Sequence, residues 1–115
     1  MKVLVIGSGG REHAVCKKLL ESARVDKIYC APGNGGIAQI AEIVPIHETD
    51  TASLLAFAKD KGIELTVVGP EAPLSAGIVD EFQNAGLKIF GPTKQAARIE
   101  SSKAFAKELM QKYGI

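Results

Sequence analysis

An excess of charge of either sign is missing from this 115-residue sequence: Lys+Arg number 14 and Asp+Glu 13, for a formal net charge of +1. With no basic run or stripe there is no electrostatic footprint for a nucleic-acid or membrane surface, so neither is an expected partner. Cysteine is scarce. The only two, Cys16 and Cys30, stand far apart and outside any Cys-x-x-Cys or Cys/His spacing. Neither a disulfide framework nor a zinc site is indicated, and both thiols are expected to be buried as small apolar groups. Long apolar stretches are lacking too. Ahead of the first glycines there is only Lys2 and then Val3 to Ile6, too short for a signal-peptide core or a membrane span, which points to the cytosol. No internal repeat or low-complexity tract occurs. No Ser/His/Asp or Cys/His arrangement is placed by any motif, and His47 and Asp50 have no partner spacing for metal or triad work; no catalytic or metal-ligating residue is expected.

What is present suits one small soluble domain. Hydrophobic residues make up 46% and charged residues 23%. A chain of this length hides roughly 60–70% of the surface its unfolded form exposes, enough for a core but leaving little room for a second domain. Val3-Leu4-Val5-Ile6 is a continuous apolar run ended by Gly7, the pattern of a strand buried on both faces. Helices must cover those faces. Arg11 to Ser22 carries Val15, Cys16, Leu19 and Leu20 at helical spacing. Strands follow at Lys27 to Cys30 and at Ile43 to Ile46, the latter an edge strand because Pro45 cannot donate to a ladder. Asp50 reads as the N-cap of a helix over Thr51 to Lys61, stopped by Gly62. A strand at Glu64 to Val68, a helix at Ser75 to Ala85 ended by Gly86, and a strand at Lys88 to Phe90 complete the body. Strands alternating with helices imply an α/β fold: an open parallel sheet with helices on both faces and right-handed crossovers. Thr93 to Glu100 and Ser102 to Tyr113 read as two further helices. The second has an apolar stripe and nothing downstream to bury it, which suggests that the chain is cut from a longer polypeptide.

In an open parallel sheet, ligands bind beyond the carboxyl ends of the strands. The loops there are Gly7-Ser8-Gly9-Gly10-Arg11-Glu12-His13, Ala31-Pro32-Gly33-Asn34-Gly35-Gly36, Gly69-Pro70-Glu71-Ala72-Pro73 and Gly91-Pro92-Thr93. The first leads into a helix N-terminus, whose unpaired N–H groups and dipole favour a phosphate, with Arg11 adding a guanidinium fork. A tight turn needing glycine for sterics alone is the competing reading. His13 is open between helix packing and ligand contact, and Asn34 between a turn residue and a ligand contact. Glu71 is expected in the crevice at the strand end, unless it is merely an exposed loop acid. A dinucleotide is disfavoured: the fingerprint G-x-G-x-x-G would need glycine where Glu12 stands, and the second strand lacks a terminal acid for the ribose hydroxyls. Glu12 would repel a pyrophosphate yet could hydrogen-bond a ribose hydroxyl or an amine, which shifts the expectation to a phosphorylated sugar.

Gly7-Ser8-Gly9-Gly10-Arg11-Glu12-His13-Ala14, Ala31-Pro32-Gly33-Asn34, Val68-Gly69-Pro70-Glu71-Ala72-Pro73-Leu74, Phe90-Gly91-Pro92 and Ser102-Lys103-Ala104-Phe105-Ala106-Lys107 together resemble the N-terminal domain of the phosphoribosylamine–glycine ligases (glycinamide ribonucleotide synthetases) of the ATP-grasp superfamily. The resemblance covers the whole chain. It implies a cytosolic enzyme of purine biosynthesis that joins 5-phosphoribosylamine to glycine through a glycyl phosphate, using ATP and Mg2+ or Mn2+. Residues 1–100 would be the pre-ATP-grasp domain and 101–115 a helix beginning a missing ATP-grasp domain, whose remainder would be the chain's partner.

By the same resemblance Gly7, Ser8, Gly9, Gly10, Arg11, Glu12, Pro32, Gly33, Asn34, Pro70 and Glu71 would bind substrate. Lys103 would touch nucleotide only in the full enzyme, and this stretch alone would neither turn over nor hold a cofactor. Ile37 stands where the family often has Thr, which puts a hydroxyl contact there in doubt, and Cys16 departs from a commoner Leu-Ala-Trp stretch. Two other classes remain: a nicotinamide-binding oxidoreductase domain, which would show saturable NAD(P) binding, and a free-standing binding module, which the gene beyond codon 115 would reveal by an immediate stop.

Overall fold

The computed structural model describes residues 1–91 and 102–115. Strands β1 (Lys2–Gly7), β2 (Lys27–Pro32), β3 (Glu42–Ile43), β4 (Leu65–Val68) and β5 (Lys88–Phe90) form one sheet. Its order is β3-β2-β1-β4-β5, and every neighbouring pair is parallel. Chain order runs outward from β1 in one direction to β3 and then restarts on its other side with β4, so the topological switch point lies between β1 and β4.

The central strand explains the two-sided core. Alternate residues of β1 face opposite sides, so Val3 and Val5 join one apolar cluster with Val15, Leu19, Phe105 and Leu109. Leu4 and Ile6 join another with Leu54, Ala58, Ile78 and Phe82. All four β1 residues are fully buried. The first side is covered by α1 (Gly10–Leu20) and α5 (Ser102–Tyr113), the second by α2 (Thr51–Lys61) and α4 (Ile78–Asn84). Cys16 and Cys30 are both buried, as free thiols. In α2, Asp50 Oδ1 accepts the Ser53 N–H at 3.3 Å, and Gly62 ends the helix in the left-handed region with φ 67°.

Several boundaries differ from the sequence expectation. The helix expected over 75–85 begins only at Ile78, as α4, and a short helix, α3 (Glu71–Ser75), occupies part of the expected loop; Gly77 at φ 85° separates the two. Glycine adopts that conformation without steric cost, and it turns the chain out of the first helix. Pro73 falls in the first turn of α3, where a missing N–H costs nothing. The edge strand is shorter than 43–46, although the Val44 N–H still donates to the Cys30 carbonyl at 2.9 Å before Pro45 ends the pairing. β2 continues to Pro32 through a cis Ala31–Pro32 bond, and a short 3₁₀ turn spans Ile37–Gln39. Ile37 itself is fully buried. The expected helix at 93–100 lies outside the described residues.

Helix α5 packs on the body rather than projecting from it. Phe105 and Leu109 are fully buried, and the Phe105 ring lies 5.3 Å from that of Phe90. Met110 packs at the margin of the same cluster.

Candidate functional site

Parallel strands end on the same side, so the glycine-rich loops after β1, β2 and β4 gather along one edge, with Gly91 at the end of β5 beside them. Ser8, Gly9 and Gly10 are exposed there, Arg11 is half-buried, and Pro32, Gly33, Asn34 and Pro70 are half-buried beside them. Hydrogen bonds fasten the first two loops together. Asn34 Nδ2 donates to the Ser8 carbonyl at 2.8 Å, Asn34 Oδ1 accepts the Ile37 N–H at 2.9 Å, and the Gly33 N–H donates to the Gly7 carbonyl at 3.1 Å. Asn34 is thus a clamp between loops rather than a simple left-handed turn residue. His13 meets the same loop. A Cβ at Gly36 would stand 2.9 Å from His13 Cε1, so glycine there admits the ring.

Glu12 is the unexpected member. It is only 5% exposed, and its Oε1 accepts the N–H of the N-cap residue Gly9 at 2.9 Å, the one half of a capping box that a glycine N-cap allows. The carboxylate lies against the ends of both strands at the switch point. A Cβ at Gly7 would stand 2.4 Å from Oε1, and one at Gly69 would stand 2.0 Å from Oε2. Gly7 also has φ 136°, so glycine is required there twice over. Gly69 has no such backbone demand; the Glu12 side chain alone excludes a larger residue. Burial raises the Glu12 pKa above its ordinary value, opposed by the backbone N–H of Gly9, the charge of Arg11 and the backbone of Ser8, while Glu48 adds to the rise.

This changes the picture of the opening turn. One amide hydrogen of the turn, that of Gly9, is committed to an internal acceptor. On the outer face of the turn Gly10 is exposed and Arg11 half-buried. Arg11 is placed by α5, its Cζ 5.3 Å from the centre of the Phe105 ring. No sequence signal pairs residues so far apart. Glu71, expected in a loop, is instead the exposed first residue of α3, where Pro70 takes the N-cap place. Lys103 falls within α5, but its side chain lies outside the described residues.

Two concavities lie away from this edge. One sits between α1 and α5 beside Ala14, Ala106 and Met110, and the other at the amino end of β2 beside Asp26, Gln39 and Glu42. Neither gathers residues from the glycine-rich loops. Among the described residues no group of three or more His, Cys, Asp or Glu side chains could hold a metal ion, and no helix is long and apolar enough to cross a membrane.

Residues 1–100 match the family described as phosphoribosylglycinamide synthetase, N domain. The phosphoribosylamine–glycine ligase of Caldanaerobacter subterraneus subsp. tengcongensis is 61% identical over 115 residues, covering 100% of this chain and 28% of that protein. That of Halalkalibacterium halodurans is 56% identical, with coverage of 100% and 27%. The crystal structure of the Thermotoga maritima phosphoribosylamine–glycine ligase superposes over 100% of this chain and 25% of its own, with 31% identity and a TM-score of 0.56. The chain spans little more than a quarter of the length of the curated relatives it matches.

Proposed function

Because the chain belongs to the phosphoribosylglycinamide synthetase N-domain family, we propose that it is the part of a phosphoribosylamine–glycine ligase that holds the phosphoribosyl substrate along the carboxyl edge of its sheet. The observation that carries this reading is the convergence of the loops after β1 and β2, tied through Asn34 at 2.8 Å to the Ser8 carbonyl, on the N-terminus of α1, where Gly10 is exposed. A phosphate monoester seated there meets the positive end of the helix and the Arg11 guanidinium, which pairs with phosphate oxygens. Gly7 to Gly10 let the backbone come close, Pro32, Gly33 and Asn34 bound the pentose on one side, and Pro70 and Glu71 bound it on the other. Glu12 supports the turn from behind.

The reaction proposed for the whole enzyme transfers the γ-phosphoryl group of ATP to the glycine carboxylate. The substrate amine then attacks that acyl carbon, forming the amide and releasing phosphate. This chain's share is to bind and orient the amine-bearing sugar. The described residues offer no ligand set that fits Mg2+ or Mn2+. Nucleotide and metal binding, with Lys103 contributing to the former, belong to the remainder of the polypeptide. Residues 1–100 then form the pre-ATP-grasp domain and 101–115 lead into the ATP-grasp part, in a cytosolic protein of purine biosynthesis.

Calorimetric titration of this chain with ribose 5-phosphate tests the reading. Saturable binding is expected, weakened in Arg11→Ala by the roughly 1.5–3 kcal/mol of a charge-assisted hydrogen bond and weakened also in Asn34→Ala. Absence of saturable binding, or affinity unchanged in both variants, would overturn it.

A further inference from the structure

We propose that Glu12 is the specificity-determining residue of this edge: its side chain fills the crevice between the carboxyl ends of β1 and β4 and closes it to a pyrophosphate diester. The inference rests on the reading that the edge receives a phosphate ester, and it fixes which class of ester is refused.

The strand order places the switch point between β1 and β4, the crevice in which open α/β sheets of this order receive dinucleotides. In this chain that crevice is occupied from within. Glu12 is 5% exposed, and its carboxylate touches both walls, with Oε1 against the Gly7 end of β1 and Oε2 against Gly69 just past β4. The 2.0 Å separation between Oε2 and a Cβ at Gly69 measures how completely the carboxylate fills the place where any residue but glycine would project. Its Oε1 also takes the Gly9 N–H at 2.9 Å, an amide of the very turn that in a dinucleotide site faces the pyrophosphate.

Volume, hydrogen bonding and charge therefore act in one direction. A pyrophosphate would have to displace a side chain that is packed on both sides, break its bond to the turn, and approach a carboxylate of like sign. A monoester over Gly10 and Arg11 has no need to enter the crevice. The sequence relation is simple: Gly7 and Gly9 hold the first two glycine places of G-x-G-x-x-G, and Glu12 holds the third. A single side chain thus stands between this loop and the dinucleotide pattern.

The test uses ADP-ribose, a pyrophosphate diester carrying the same pentose, and ribose 5-phosphate as separate calorimetric titrants. Glu12→Gly restores the three glycines; Glu12→Ala opens the same space with better helix propensity; Glu12→Gln keeps the volume without the charge. Circular dichroism establishes that each variant is folded. ADP-ribose affinity is expected to rise by at least about tenfold, equivalent to about 1.4 kcal/mol, in Glu12→Gly or Glu12→Ala relative to the wild type, with a smaller rise in Glu12→Gln. Unchanged ADP-ribose affinity in a folded opening variant would overturn the proposal. So would a wild-type crystal soaked with ADP-ribose whose pyrophosphate lies between Gly7 and Gly69, a measurement that needs no variant to fold. Failure of the wild type to bind ribose 5-phosphate would instead count against the functional reading, because the crevice comparison is read on the diester alone.

Discussion

Gly69→Ala isolates the contact on which the shape of the site depends. The new Cβ would stand 2.0 Å from Glu12 Oε2 and 2.7 Å from its Cδ, distances at which something must move. Either the carboxylate stays and the strand end shifts, an overpacking cost of about 1–3 kcal/mol, or it leaves and forfeits its bond to the Gly9 N–H, about 1.5–3 kcal/mol for a charged acceptor. Both routes put the loss near 2 kcal/mol. In a Glu12→Ala background the obstacle is gone. The backbone at Gly69 is not in the left-handed region, so the same substitution there should be neutral, or stabilising by about 0.4–1 kcal/mol through the unfolded chain. Urea unfolding followed by circular dichroism on the wild type, both single variants and the double variant gives the coupling, expected at about 2–3 kcal/mol against the ~0.3–0.5 kcal/mol within which independent sites add. Gly7→Ala is the internal control: its φ of 136° is strained for any side chain, so it should remain costly without Glu12. Equal losses for Gly69→Ala in the two backgrounds would refute the packing described for the carboxylate.

Two more outcomes follow from the same contacts. Burial makes the native Glu12 carboxyl hold its proton to higher pH than the unfolded chain does, against the pull of the Gly9 amide and Arg11 and with Glu48 adding to the rise. Its contribution to stability is therefore fully present below the ordinary value of 4.5 and declines as pH rises through the elevated native value. The melting temperature of Glu12→Gln relative to wild type should climb across that window and then level off; a difference independent of pH would show that the carboxylate is not desolvated. Phe105→Ala should cost about 3–5 kcal/mol as a fully buried aromatic and remove the ring beside Arg11. Faster amide hydrogen exchange across 104–113 with weaker ribose 5-phosphate binding is expected, and exchange confined to β1 or β4 would contradict the docking of α5.

Local rules made the frame legible. The apolar run Val3–Ile6 has no polar face, so it had to be central, and Asp50 with Gly62 bounds α2 by capping chemistry that needs no tertiary information. What was not legible depends on contacts distant in sequence. Glu12 and Gly69 are fifty-seven residues apart, and neither residue type announces the other. Arg11 and Phe105 are farther still, and the stripe on α5 gave its apolarity without naming α1 as the face it covers. The break at Gly77 is an intermediate case. A glycine inside an apolar helical pattern was visible, but whether it would be tolerated or turn left-handed depends on how Ile78 and Phe82 must reach the core. For the site, the residue types were legible and their division of labour was not: Asn34 fastens two loops, Glu71 opens the short helix α3, and Glu12 faces inward.

That inward carboxylate also sets what a ligand must bring. A helix N-terminus attracts an anion through partial charge on its unpaired amides, and here a resident anion in the first turn already takes one of them at 2.9 Å. The remaining attraction is reduced by the same negative charge, so the turn alone is a weaker phosphate site than its glycines suggest. Arg11 offsets this on the solvent side, and its guanidinium is held beside Phe105 rather than left to sample rotamers. Charge supplied by a positioned side chain and charge withdrawn by a buried one act on opposite faces of one turn. The outer face is thereby made favourable for a small anion and the inner crevice unfavourable, a polarity that glycines by themselves, offering amides equally to both faces, would not create.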